Sequence, residues 1–372
     1  MIDLLILLIV SQLIIISIFL LSPRKTREIS HIILGFFFLA LAINLLNGYI
    51  YRAGYYNKDL TNYIFIGAPF AFLYSPLMYF YVKSITDKPF VFKLKYLFHA
   101  IPFLIFTLYL CVEFYFLPEA AKRNFAYDFK KFVFWATSII LLNIQVVVYV
   151  VKVVLRLRKY SRKIKTIFSS TEKINYSWLR FLAIGLFLLW LADIARALSF
   201  TSRNTALIAE IIFLLGFLLM CYLILYKALT QPVIFSNMEE VQPQKKKSLS
   251  DEVNEQYLNK LLDCMENEKP YLNPSITIYD LSEKTSIPPR SLSDVINNSL
   301  NKNFYDFINE YRVKEAAKRF SDKSYSSKTI LEVLYEVGFN SKSSFNQAFK
   351  KHTGLTPTSF KKQNEQTPVT VN

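Results

Sequence analysis

Seven long apolar runs fill the first 229 residues, and after a polar break the pattern changes to short amphipathic periods. The runs lie at 4–21 and at roughly 29–50, 62–82, 96–117, 132–154, 178–199 and 205–226. The first, LLILLIVSQLIIISIFLL, is long enough to cross about 30 Å of hydrocarbon at about 1.5 Å per residue. It lacks the basic start of a signal peptide: Asp3 is its one early charge, and the basic cluster Arg24, Lys25 and Arg27 follows it. All seven are continuously apolar over about 20 residues rather than alternating over about 10, which predicts spanning helices instead of barrel strands. Pro69 and Pro76 predict kinks in the third run.

Beyond the polar stretch TQPVIFSNMEEVQPQKKKS the apolar positions recur with helical period. Val253, Tyr257, Leu258, Leu261, Leu262 and Met265 make one stripe. That helix either dimerises as a short coil or packs on the domain that follows, and the stripe covers too few heptads to favour the coil. Thr277 and Asp280 read as a capping box for a short helix holding Ile278 and Leu281. A turn at Ser286 and Ile287 leads to Pro289, and the next helix turns Leu292, Val295 and Ile296 inward. Phe304, Phe307, Ile308, Tyr311 and Phe320 define a longer connecting helix. Ile330, Val333, Leu334 and Val337 then fall at i, i+3, i+4 and i+7, and Gly338 ends that helix. With Asn340 as N-cap, a last helix buries Phe345, Ala348 and Phe349. Each pair of short helices is a helix-turn-helix layout.

The expected fold is therefore all-α. A seven-transmembrane-helix bundle (1–229) is followed by a linker (230–250), a connecting helix (251–268), an all-α domain with two helix-turn-helix units (269–363) and a disordered tail (364–372).

Composition sharpens this division. The 53% hydrophobic and 16% aromatic content exceeds that of soluble domains. The net charge of +16 also belongs mostly to the first half: 25 Lys/Arg against 12 Asp/Glu over 1–244, but 19 against 15 over 245–362. Total basicity therefore says little about nucleic acid. Its distribution says more. The odd-numbered loops hold fifteen Lys/Arg and the even-numbered loops seven, which predicts a multi-pass protein of the cell inner membrane with its N-terminus outside and its C-terminal domain cytoplasmic. Three cysteines far apart and three isolated histidines predict no metal site, disulfide framework or cofactor. No constellation points to an enzyme.

Few ionisable groups interrupt the spans. Asp193 and Arg196 lie one turn apart in the sixth, Glu210 lies in the seventh and Glu113 closes the fourth. Charges in lipid face the bundle interior or a wet cavity, so these four are candidates for sensing a small-molecule or protein signal. The plainer alternative is that Asp193 and Arg196 neutralise each other while Glu113 and Glu210 reach the interface. Asn44, Asn47, Asn143 and Gln145 are candidates for hydrogen bonds between helices.

In the C-terminal half, chemistry sits on the faces left polar. The earlier unit shows Arg290, Ser293, Asp294 and Asn297, and the later one Lys342, Ser343, Asn346 and Gln347, as candidates for base edges. Lys350 and Lys351 are candidates for phosphate. Residues 275–362, especially PPRSLSDVIN, FYDFINEYRVKEA and YEVGFNSKSSFNQAFKKHTGLTPTSFKK, resemble the DNA-binding domain of AraC/XylS-type transcription regulators. The resemblance implies two helix-turn-helix units joined by a linker helix, reading successive major grooves of double-stranded DNA, with RNA polymerase as a further partner. The architecture as a whole resembles membrane-bound AraC-type regulators of Bacteroidetes-like bacteria. Two departures stand out: Pro288 replaces the usual N-cap serine, and Asp294 an often basic residue, which suits a cytosine amino group better than phosphate.

The leading expectation is a membrane-bound, sequence-specific transcription regulator, with homodimerisation left open. Its rivals are a transporter-like membrane protein with a regulatory DNA-binding tail, and a membrane anchor for DNA without sequence preference. Against the first rival, no span carries a carboxylate cluster or a pair of broken helices.

Overall fold

The computed structural model describes residues 2–22, 28–54, 63, 65–87, 90–118, 121–122, 129–170, 177–198, 203–230 and 251–366. Among these residues every regular element is helical. The linker over 231–250, the cluster Arg24, Lys25 and Arg27, and the tail beyond 366 lie outside them. The chain divides into two compact units, one of Met1–Arg158 with Tyr176–Ser236, the other of Lys159–Asn175 with Asn237–Asn372.

The first unit contains α1 (Ile2–Leu21), α2 (Ile29–Arg52), α3 (Ala71–Thr86), α4 (Ile101–Leu110), most of α5 (Phe129–Lys165), α6 (Ser177–Leu198) and α7 (Arg203–Thr230). Leu13, Leu34 and Phe38 are fully buried where α1 meets α2. Among the described residues five helical stretches are long and apolar enough to cross a membrane: Ile2–Leu21, Ile29–Arg52, Leu94–Tyr115, Val133–Lys165 and Leu207–Lys227. The other two apolar runs are also helical. The third becomes a 3-10 turn, Ala68–Phe70, leading into the 16-residue α3, so Pro69 opens an element and Pro76 alone lies inside one. The sixth becomes α6, whose 22 residues include Arg180, Asp193 and Arg196. The fourth is not a single α-helix, because a 3-10 turn (Leu94–Ala100) precedes α4 and a π turn (Cys111–Tyr115) follows it.

Amides tie these helices together, as low polarity demands. Trp190 donates its indole N–H to Asn143 Oδ1 over 3.0 Å, and Gln145 Nε2 donates to the Phe72 carbonyl over 2.9 Å. Asn47 Nδ2 donates to the Tyr63 carbonyl over 2.7 Å.

The second unit contains α8 (Asp251–Asn267), α9 (Ile278–Thr285), α10 (Pro289–Asn298), α11 (Phe304–Ser321), α12 (Ile330–Glu336), α13 (Lys342–Thr353) and α14 (Pro357–Gln366). It has two apolar cores, and α11 serves both. Phe304, Phe307 and Ile308 close the first with Leu261 and Met265 of α8, Leu281 of α9 and Val295 of α10. Val313, Ala316 and Phe320 close the second with Val333, Leu334, Phe345 and Phe349. The stripe of α8 is thus spent on the domain beside it. Residues 166–170 also belong to this unit, although the hydropathy pattern assigns them to a loop between spans.

Candidate nucleic-acid interface

The second helix-turn-helix is set by three local devices. Thr329 opens α12 through a reciprocal capping box: its hydroxyl accepts from the Glu332 N–H at 3.2 Å, and the Glu332 carboxylate accepts from the Thr329 N–H at 2.6 Å. The Thr329 N–H and the Thr329 hydroxyl, which also donates to the carboxylate at 2.7 Å, hold the Glu332 carboxyl below its usual range. Gly338 makes the turn at φ +91°. Ser341, not Asn340, caps α13: its backbone is extended and its short hydroxyl accepts from the Ser344 N–H at 3.3 Å. Asn340 instead donates to the Pro274 carbonyl at 3.3 Å, a tertiary contact that competes for the longer side chain.

With the cap in place, Phe345, Ala348 and Phe349 point into the core and Lys342, Ser343, Asn346, Gln347 and Lys350 are all exposed. The i, i+4 series Lys342, Asn346, Lys350 lies beside the pair Ser343, Gln347, making one continuous strip of donors and acceptors. At the far end Lys350 and Lys351 complement the helix dipole, and Gly354 closes the helix at φ +78°. Lys351 is exposed but engaged: its ammonium sits 2.8 Å from Asp306 of α11.

The first unit is built differently. Its capping box forms, with the Thr277 N–H donating to Asp280 at 2.8 Å and the Thr277 hydroxyl accepting in return. Ser286, at φ 54°, ends α9. Pro288 stands at the N-cap of α10 without a side-chain bond, and Pro289 begins the helix. Arg290, Ser293 and Asp294 are partly buried, while Asn297 is exposed and donates to the Ser293 hydroxyl at 3.2 Å. The strip on α10 is therefore narrower and partly satisfied within itself.

Among the described residues, Asp193, Glu210 and Glu113 have different surroundings. Glu210 pairs with Arg52 at 2.5 Å, and Arg52 also meets Asp3 at 3.1 Å. Glu113 lies in the π turn. The side chain of Arg196 lies outside the described residues. Asp193 borders a cavity of about 250 Å³ walled by Phe37, Tyr74, Tyr149, Trp190 and Phe213.

Sequence reasoning passes over one residue that the structure brings forward. Arg312 is 1% exposed, among the largest wholly buried side chains in the chain. Its sign was present: Phe304, Ile308, Arg312 and Ala316 follow at i+4 intervals, so the arginine occupies a core position of the connecting helix.

Comparison with known proteins agrees with this geometry. Residues 281–363 match the family described as Helix-turn-helix domain. The chain is 28% identical over 109 residues to an HTH-type transcriptional regulator of Staphylococcus aureus (strain COL), covering 29% of this chain and 14% of that protein. It is 27% identical over 107 residues to the Probable transcription factor PqrA of Proteus vulgaris, covering 29% of this chain and 84% of that protein. The chain thus spans about a seventh of the first relative and most of the second. No solved structure matches. The C-terminal region carries an AraC-type helix-turn-helix domain, with weak similarity to transcriptional regulators.

Proposed function

We propose that the chain is a membrane-bound, sequence-specific transcription regulator, in which seven membrane helices sense a signal and the second unit reads promoter DNA from the cytoplasm. The observation that carries the DNA reading is the strip on α13: five exposed polar side chains over a buried Phe345, Ala348 and Phe349. Lys342 suits guanine O6 and N7, Asn346 and Gln347 suit adenine, and Ser343 suits either. Lys350 suits phosphate. Arg290, Ser293, Asp294 and Asn297 of α10 supply the weaker second contact, since Ser293 and Asn297 must first release each other. Lys351 contributes a phosphate contact once Asp306 yields it.

Support for the membrane half comes from the five long apolar helices, with α3 and α6 completing seven spans. The excess of Lys/Arg in the odd loops supports a topology with the N-terminus outside and the reader inside. The aromatic cavity at Asp193 offers a signal molecule of mixed apolar and polar character a site among the described residues of the bundle. This architecture resembles the membrane-bound AraC-type group named above.

Footprinting of the full chain in nanodiscs on DNA selected from a random pool tests the reading. Protection of two adjacent major grooves on one face, about 10 bp apart, is expected. Equal binding to every sequence would mark the chain as an anchor instead.

A further inference from the structure

The last turns of α5 and the five residues after it belong to the DNA-reading unit, and their contacts there are specific. Residues 167–169 run antiparallel to 276–278: the Ile278 N–H donates to the Ile167 carbonyl at 2.9 Å, and the Ser169 N–H donates to the Ile276 carbonyl at 3.3 Å. The Ser169 hydroxyl donates to the same Ile276 carbonyl at 2.7 Å. Phe168 is 8% and Ser169 1% exposed, and Ile167 packs against the first core.

Three parts of the reader converge on this segment. Arg312 of α11 donates from Nη2 to the Ser169 hydroxyl at 3.2 Å and from Nη1 to the Ser169 carbonyl at 3.4 Å. The same guanidinium donates to the Tyr271 carbonyl at 2.7 Å and the Asn273 carbonyl at 2.8 Å, in the stretch leading to the first helix-turn-helix. Asn340, in the turn of the second, donates to the Ser170 hydroxyl at 3.3 Å. A segment from between two membrane helices therefore touches the approach to the first reading unit, the connecting helix and the turn of the second.

We propose that residues 167–170 are an intramolecular clamp that holds the two helix-turn-helix units in the one relative arrangement suited to paired grooves, and that undocking the clamp is how the reader is switched. Two physical points support it. The polar contacts are backbone pairing, hydroxyl bonds and two bonds from the Arg312 guanidinium, all groups that water can serve once the segment leaves, while Ile167 and Phe168 supply the apolar burial that keeps it docked. The segment also follows α5 within two residues, and α5 includes the long apolar stretch Val133–Lys165, so a shift or rotation of that helix is delivered directly to the clamp. Docked, the reader is pre-organised for a two-groove site; released, each unit binds for itself.

The inference rests on the reading of the second unit as a DNA reader, and the two fail differently. If the unmodified chain selects no sequence from a random duplex pool, the DNA reading fails. The clamp is tested on the full chain in nanodiscs with the double variant Ile167→Asp, Phe168→Asp. Amide exchange at Ile278 should rise about tenfold or more as its acceptor leaves. Affinity for the selected two-groove duplex should fall about tenfold while affinity for a single half-site changes less than about twofold. A faster Ile278 amide with no selective loss of two-groove binding would overturn the proposal. A second variant guards against simple misfolding: Ser170→Cys with Asn340→Cys, closed to a disulfide with copper phenanthroline. Closure with wild-type affinity that persists when Ile167→Asp, Phe168→Asp is added is the expected result. Failure to close, or a locked chain that loses two-groove binding, would reject it.

Discussion

Gly338 lies directly beneath the Tyr271 carbonyl, so that a β-carbon at 338 would stand 2.7 Å from that oxygen and 2.8 Å from the Leu272 carbonyl. Both obstacles are backbone, and Gly338 also has φ +91°. Gly338→Ala should therefore destabilise the second unit by at least about 2 kcal/mol, because strain and clash add. Thermal unfolding of the variant measures this, and a change within 0.5 kcal/mol, roughly surface-substitution size, would show that the turn can relax.

On the proposed reading, the exposed strip of α13 divides into base and phosphate contacts. Lys342→Ala and Asn346→Ala should each cost about 1–3 kcal/mol on the selected duplex and relax preference at one base position. Selection from a random pool with each variant reads this out. Equal weakening on all sequences would return both residues to the phosphate group.

Lys350 and Lys351 should behave differently although they are neighbours. Lys350 is exposed and Lys351 is held by Asp306, in a pair whose side chains are 56% and 29% exposed. Lys350→Ala should lower the slope of log affinity against log salt by about 1, and Lys351→Ala by clearly less. Adding Asp306→Asn should bring the contribution of Lys351 up to that of Lys350, at a stability cost of no more than about 1 kcal/mol.

Acid should loosen the second unit through α11. Burial pushes the carboxyls of Glu310 and Glu315 up, but hydrogen bonds and charge from Lys302 and Lys314 on one, and from Arg319 and Lys269 on the other, outweigh it and hold both below the ordinary 4.5. A depressed folded value means that this stability is complete above 4.5 and is lost as pH falls through the lower folded values. Amide protection along α11, corrected for intrinsic exchange, should be level from about pH 7 to 5 and decline below, with a shallower decline in Glu310→Gln and Glu315→Gln. Protection that increases in acid would contradict the assignment.

The cavity at Asp193 gives the membrane half its own test. Ala183 lines it, so Ala183→Phe fills space that a signal molecule would occupy. Transcript profiles of cells carrying Ala183→Phe or Asp193→Ala should diverge from the parent strain, with the protein still present in the membrane. Unchanged profiles would remove the cavity from the signalling route.

Much of this was determined by local sequence. A capping box needs only Thr277 with Asp280, or Thr329 with Glu332, three residues apart, and both form. The apolar period that buries Phe345, Ala348 and Phe349 dictates which residues of α13 are left outside, because helix geometry allows no other partition. The apolar stretches in the first half were equally plain, although where helix gives way to 3-10 or π turns depended on packing and proline placement. Tertiary structure alone decided the rest, since the partners are far apart in the chain. Ser341 replaced Asn340 as cap because Asn340 found Pro274 and Ser170. Glu210 found Arg52, 158 residues away, because helix packing brings the two side chains together. Arg312 could be buried because the carbonyls of Tyr271, Asn273 and Ser169 converge on it. Nothing periodic in residues 166–170 announces a strand partner. Its pairing exists because the Ile276 carbonyl and the Ile278 N–H lie on a backbone edge that another segment must satisfy.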